Sequence, residues 1–179
     1  MTEIIAAIRT KEEFDKAITS EVDIIFDLSP DLLTLKKRVD AAHENNKKLF
    51  IHMDFATGVG KDKSGITYVK HIKTDGVIST RTNIIKIAGE LGINTVQRFF
   101  MVDSHAVLTT LESIKASKAD MIEVMPGIAA KPIKILKEAL DIPVIAGGFI
   151  ETKEEVENAL KAGAFAVSTG KAELWSYEK

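Results

Sequence analysis

Short apolar runs recur along the chain, each followed by a stretch whose apolar residues fall three and four positions apart. The runs predict strands over Ile4–Ile8, Ile24–Leu28, Lys48–His52, Gly76–Ser79, Asn94–Phe100, Met121–Met125, Pro143–Ala146 and Ala164–Ser168. They are continuous rather than alternating, which is the pattern of strands covered on both faces. The intervening stretches predict helices with start and stop signals. Thr10 with Glu13 and Thr152 with Glu155 read as capping boxes, and Ser29-Pro30 reads as a cap before a first-turn proline. Gly92 and Gly163 fall where a helix C-terminus takes a left-handed residue.

Each strand–helix unit spans about 22 residues, close to the minimum for a parallel pair with its crossover. Right-handed crossovers leave two architectures, a closed barrel or an open doubly wound sheet. Regular units without a long interruption favour closure. Val77-Ile78-Ser79-Thr80 and Ala166-Val167-Ser168-Thr169 end two strands alike, as a repeated unit would. The expected fold is α/β, a small TIM-like (β/α)8 barrel forming one domain over residues 1–179.

Composition narrows the function classes. Hydrophobic residues make up 45% and charged residues 28%, ordinary globular values. The absence of cysteine removes disulfides, thiol nucleophiles and thiolate metal sites, and fits a cytoplasmic setting. No apolar run reaches the length of a membrane span, so no membrane partner is expected. A net charge of −2 and a pI of about 6.1 argue against a large electrostatic footprint for nucleic acid.

In such barrels the chemistry sits at the C-terminal ends of strands. Polar and glycine residues collect there: His52 and Asp54, Thr57 to Lys61, Ser79-Thr80-Arg81, Gln97-Arg98, Glu123 before Gly127, Gly147-Gly148, and Ser168-Thr169-Gly170. The last two turns carry the sharpest signal. A glycine pair bares backbone N–H groups, and a Ser-Thr-Gly turn opening a short terminal helix adds hydroxyls and a site that favours an anion. Tight turning alone also explains glycine, but both turns in the last two units favour a phosphate site.

His52 and Asp54 share strand parity and read either as ligand or acid–base groups or as a pair closing the barrel top. Arg98 and Glu123 fall in neighbouring apolar strands and read as a buried ion pair, as ligand contacts, or as both. Arg81 is a phosphate contact or a rim charge. Asp54 with Glu123 is the sole metal candidate, and no metal site is expected. Gly58-Val59-Gly60-Lys61 fits no nucleotide fingerprint and reads as a mobile rim loop. Lysines 131, 134 and 137 and the cluster Lys36-Lys37-Arg38 read as solvated faces, with no interleaved aromatic residues to form a stacking platform.

An ordered set of strings then carries a specific likeness. Phe50-Ile51-His52-Met53-Asp54, Asp75-Gly76-Val77-Ile78-Ser79-Thr80, Gln97-Arg98-Phe99-Phe100, Ile122-Glu123-Val124-Met125-Pro126-Gly127, Ile145 to Thr152 and Ala166 to Thr169 follow one another. The chain closely resembles the glycerol-3-phosphate-responsive antiterminators of bacteria, roughly from the second strand to Trp175. The resemblance implies a regulator rather than an enzyme, with no catalytic residue and no cofactor. Its effector would be glycerol 3-phosphate, and its partner a leader mRNA of glycerol-use genes, with a homo-oligomer left open. Carried over by position, phosphate would lie at Gly148 and Ser168 and the glycerol end would face His52, Asp54, Arg98 and Glu123. Two positions depart from the family pattern: an acidic residue is expected where Thr57 stands, and a lysine where Arg81 stands. The competing expectation is a barrel enzyme acting on a small sugar or polyol phosphate, with His52, Asp54 and Glu123 as its acid–base groups.

Overall fold

Strand and helix alternate throughout the computed structural model, which describes residues 3–176. The order is β1 (Ile4–Ile8), α1 (Lys11–Ile18), β2 (Ile24–Asp27), α2 (Leu32–Glu44), β3 (Lys48–His52), α3 (Lys63–His71), β4 (Gly76–Ser79), α4 (Thr82–Glu90), β5 (Asn94–Phe100), α5 (Ser104–Ser117), β6 (Met121–Met125), α6 (Ala130–Ala139), β7 (Val144–Gly147), α7 (Lys153–Lys161) and β8 (Ala166–Thr169). Short 3-10 turns follow at Met53–Phe55 and Ala172–Leu174. Every strand pairs in parallel with the next, and β8 returns to β1, closing an eight-stranded barrel. No helix among the described residues is long and apolar enough to cross a membrane.

Period-two alternation sorts each strand's side chains into two cores. Inward residues such as Ile5, Phe26, Phe50, Ile78, Val96, Ile145 and Ala166 plug the barrel. The Phe50 ring occupies the space a side chain at position 76 would need, so Gly76 is the residue that lets β3 and β4 pair around it. Outward residues such as Ile25, Ile51, Val77, Val124 and Val167 meet Leu35, Val69, Ile84, Leu136 and Val156 of the helices. Each such fully buried aliphatic contributes about 1.5–3 kcal/mol relative to exposure.

The helix signals behave unequally. Both capping boxes form, with Thr10 accepting from Glu13 N–H and Thr152 from Glu155 N–H. Gly92 and Gly163 take positive φ of 73° and 104° after their helices. The cap of α2, however, is Asp31, whose carboxylate accepts from Leu33 N–H, and Pro30 lies outside the helix. Pro30 instead offers its carbonyl to Thr57 N–H, joining the β2–α2 and β3–α3 loops. Arg38 also departs from a solvated face. It reaches the buried Asp27 on the outward side of β2 at 2.6 Å and lies over the Phe14 ring. A charge on a helix looks solvated until its partner on the sheet is known.

Candidate functional site

Above the apolar plug, the inward positions of β3, β5, β6 and β8 become polar: His52, Arg98, Glu123 and Ser168. Register sets Arg98 beside Glu123 and Gly147 beside Ser168. Arg98 Nε donates to Glu123 Oε2 at 2.6 Å, and Ser168 Oγ donates to Glu123 Oε1 at 2.5 Å. Both carboxylate oxygens are therefore committed, as a buried charge requires. Gly147 sits between them. A Cβ there would overlap Glu123 Oε1 and stand 2.6 Å from Ser168 Oγ, so the network and the glycine require each other.

A cavity of about 340 Å³ opens above this network. Arg98, Glu123 and Ser168 form its floor, Met125 and Leu28 its apolar sides, and the turns after β7 and β8 its mouth. Gly148 and Phe149 adopt consecutive left-handed conformations, φ 79° and 61°. The amides of Gly148, Phe149 and Gly170 have no acceptor among the described residues. Two cations, Arg9 and Lys171, join them at the mouth. Arg9's guanidinium has no ion-pair partner among the described residues, and Lys171 Nζ lies 3.6 Å from Glu151. Bare amides with two cations make a place for an anion, and the Arg98–Glu123 floor can meet hydroxyl groups.

Thr169 and Gly127 support these turns rather than offer free groups to the cavity. Thr169 faces the helix layer; its hydroxyl donates to Ile150 O and accepts from Lys171 N–H, while Trp175 Nε1 donates to its carbonyl. Gly127 N–H donates to Gly147 O and Gly148 O, and its Cα packs too closely on Gly147 N to admit a side chain.

His52, Asp54 and Arg81 fall in a separate sector and do not line the cavity. His52 is fully buried, neither ring nitrogen has a hydrogen-bond partner among the described residues, and Phe55 covers it with ring centroids 4.6 Å apart. Burial first and the Arg98 guanidinium second push the imidazole down to about 4, against an opposing pull from Asp54, so it is neutral at pH 7. Nδ1 stands 3.9 Å from Asp54 Oδ2, beyond hydrogen-bond reach. Asp54 instead accepts from the Ser79 hydroxyl and from the Thr80 amide and hydroxyl. Burial pushes its carboxyl up, but those hydrogen bonds outweigh burial and hold it below its ordinary value. Arg81 Nε lies 3.8 Å from Asp54 with its side chain half-exposed. Asp54 and Glu123 gather no third ligand: no group of three metal-binding side chains exists among the described residues. The glycine loop before α3 is clipped down, with Leu32 N–H donating to Thr57 O and Gly65 pressed against the Gly60 carbonyl. Lys61 stands exposed on it.

Sequence reasoning missed Arg9 and Lys171. Both obey the strand-end rule, since Arg9 follows β1 directly and Lys171 follows the Ser-Thr-Gly turn.

A closed (β/α)8 barrel with its cavity over the C-terminal ends of β1 and β6–β8 places the chain among TIM-like barrels that work through their loop rim. Comparison with known proteins then narrows the class. Residues 4–175 match the model of the glycerol-3-phosphate responsive antiterminators, and the chain belongs to that family. A glycerol uptake operon antiterminator regulatory protein from Listeria monocytogenes str. 4b F2365 is 34% identical, with TM-score 0.93 over 99% of this chain and 96% of that one. A glycerol uptake operon antiterminator-related protein from Thermotoga maritima MSB8 is 33% identical, with TM-score 0.87 over 98% and 99%. An uncharacterized protein, YgcP of Escherichia coli K12, is 31% identical over 98% of this chain and 93% of its own length. Aldolase and decarboxylase barrels at 11% and 15% identity share the fold alone.

Proposed function

We propose that the protein senses glycerol 3-phosphate and, when liganded, binds a leader mRNA of glycerol-use genes to prevent transcription termination. One observation carries the ligand half: the β7 and β8 turns, whose amides lack acceptors among the described residues, line one cavity with Arg9 and Lys171 over the Arg98–Glu123–Ser168 floor. Phosphate meets the Gly148 and Gly170 amides and the two cations. The glycerol hydroxyls meet Glu123, Ser168 and Arg98, whose Nη groups make no hydrogen bond among the described residues. The RNA half comes from family membership. Gating requires the liganded state to bind RNA better than the free state, since equal affinities shift nothing.

The same geometry favours a regulator over an enzyme. Glu123 is anchored by Arg98 and Ser168, and His52 is neutral, buried and outside the cavity lining.

Thermal melting against phosphorylated trioses and polyols tests the ligand. A ligand at a hundred times its Kd adds about 2.7 kcal/mol, which raises the melting temperature of a chain this size by roughly 5–10 °C. Glycerol 3-phosphate is expected as the sole strong stabiliser. Leader-RNA affinity that glycerol 3-phosphate leaves unchanged defeats the gating step. Turnover of a triose or polyol phosphate, lost in Glu123→Ala, replaces the regulator with an enzyme.

A further inference from the structure

The barrel exposes phenylalanines where its loops surround the cavity. Phe55, Phe100 and Phe149 are 61%, 57% and 77% exposed, on the loops or strand ends of β3, β5 and β7. All belong to the C-terminal end of the barrel. Phe149 lines the cavity mouth, Phe100 pairs in register with the cavity wall residue Met125, and Phe55 caps the buried His52 ring. Phe149 also holds φ at 61°, a region bulky residues rarely adopt, while presenting its ring to solvent. Such strain tends to persist where function uses it.

The rim carries carboxylates as well as cations, and four of the carboxylates are engaged in local hydrogen bonds. Asp31, Asp62 and Asp103 accept helix amides as N-caps, and Asp54 is held by Ser79 and Thr80. Arg9 and Lys61 stand without ion-pair partners among the described residues, Arg81 is half-exposed, and Lys171 faces Glu151 alone. The lysine stripe of α6 has no exposed aromatic ring among its own residues.

Resting on the antiterminator reading, we infer that this rim is the RNA-binding face, with unpaired bases stacking on Phe55, Phe100 and Phe149 and backbone phosphates meeting the rim cations. Planar rings interspersed with cations are what single-stranded RNA uses, because every base has a π-face. Phe149 directly follows Gly148 and lines the same cavity, so on the proposed function ligand and RNA share one loop. Leu33, Val102 and Ile128 widen the apolar rim, which makes a protein partner the competing occupant.

The test uses a short randomised single-stranded RNA pool, retained by the full chain with glycerol 3-phosphate present. Phe55→Leu/Phe100→Leu keeps apolar bulk without the ring; Phe55→Tyr/Phe100→Tyr keeps the ring. The leucine pair should lose retention by at least about twentyfold, while the tyrosine pair stays close to wild type. Both should keep the ligand-induced rise in melting temperature, showing an intact fold and cavity. Unchanged retention by the leucine pair overturns the surface while leaving the antiterminator reading in place. A wild-type dimer that the leucine pair breaks, with RNA retention unaffected, gives the rim to a second protein copy. If wild type retains no RNA with or without glycerol 3-phosphate, the antiterminator reading falls, and the surface falls with it.

Discussion

On the β6–β8 side of the barrel mouth, Glu123 gives one oxygen to Arg98 and the other to Ser168, and Gly147 makes room for both. On the β3 side, His52 is buried just as deeply, yet neither nitrogen has a hydrogen-bond partner among the described residues. The first sector is a hydrogen-bonded assembly whose members depend on one another. The second is a neutral ring held by packing against Phe55. Burial alone therefore does not reveal which polar residue the fold depends on; the partners do.

Removing Glu123 should separate the sectors most sharply. Glu123→Ala leaves the Arg98 guanidinium buried without a counter-charge, which costs about 3–5 kcal/mol. That corresponds to a fall of roughly 10 °C in melting temperature for a chain of this size, read by calorimetry. A fall of a degree or two would mean that Arg98 relaxes into the cavity and that the network is not structural. Gly147→Ala comes next. Its Cβ must displace the Glu123–Ser168 pair, costing about 1–3 kcal/mol and abolishing the melting shift given by glycerol 3-phosphate. A retained shift would show that the cavity floor does not touch the ligand.

Arg9→Ala and Lys171→Ala should leave stability within about 0.5 kcal/mol, because both side chains are exposed. Each should weaken glycerol 3-phosphate by about tenfold or more, since hydrogen bonds to charged groups are worth about 1.5–3 kcal/mol. Titration calorimetry at low and high salt reads this directly, and a salt-insensitive, unchanged affinity would remove both cations from the site.

How far the sequence discloses these sectors follows from what each residue's neighbours are. Strands covered on both faces leave continuous apolar runs, so the barrel and its order are readable, and the glycine and Ser-Thr-Gly turns mark the cavity mouth. Strand seven is read one residue early because Gly147 serves both as strand and as turn. Pairings across layers are invisible in one dimension, as Arg38 shows by leaving its lysine neighbours for Asp27. Gly147 reads as a turn former, whereas its reason lies in two side chains from other strands. The same holds for the rim phenylalanines. Positions 55, 100 and 149 are two repeat units apart and become neighbours of one opening only when β8 closes on β1.

The smallest effect at neutral pH belongs to His52, and its pH dependence is the sharpest check on the contrast. No hydrogen bond is lost in His52→Leu, so stability at pH 7 should change by less than about 1 kcal/mol. The glycerol 3-phosphate shift should persist, because His52 does not line the cavity. In acid the two proteins should part. The folded imidazole titrates at about 4 against an ordinary 6.5, so as pH falls the unfolded chain takes up its proton first. Stability is complete above 6.5 and erodes down to about 4, a slope that His52→Leu should lack. Asp54 works lower: its carboxyl is held below its ordinary 3.8, so its contribution is present above that pH and is lost only beneath it. Asp54→Asn should thus leave the slope between 6.5 and 4 intact. Melting curves at successive pH values decide the matter. A His52→Leu protein with the wild-type slope would show that the ring is already solvated, and loss of the ligand shift would move His52 into the cavity's machinery.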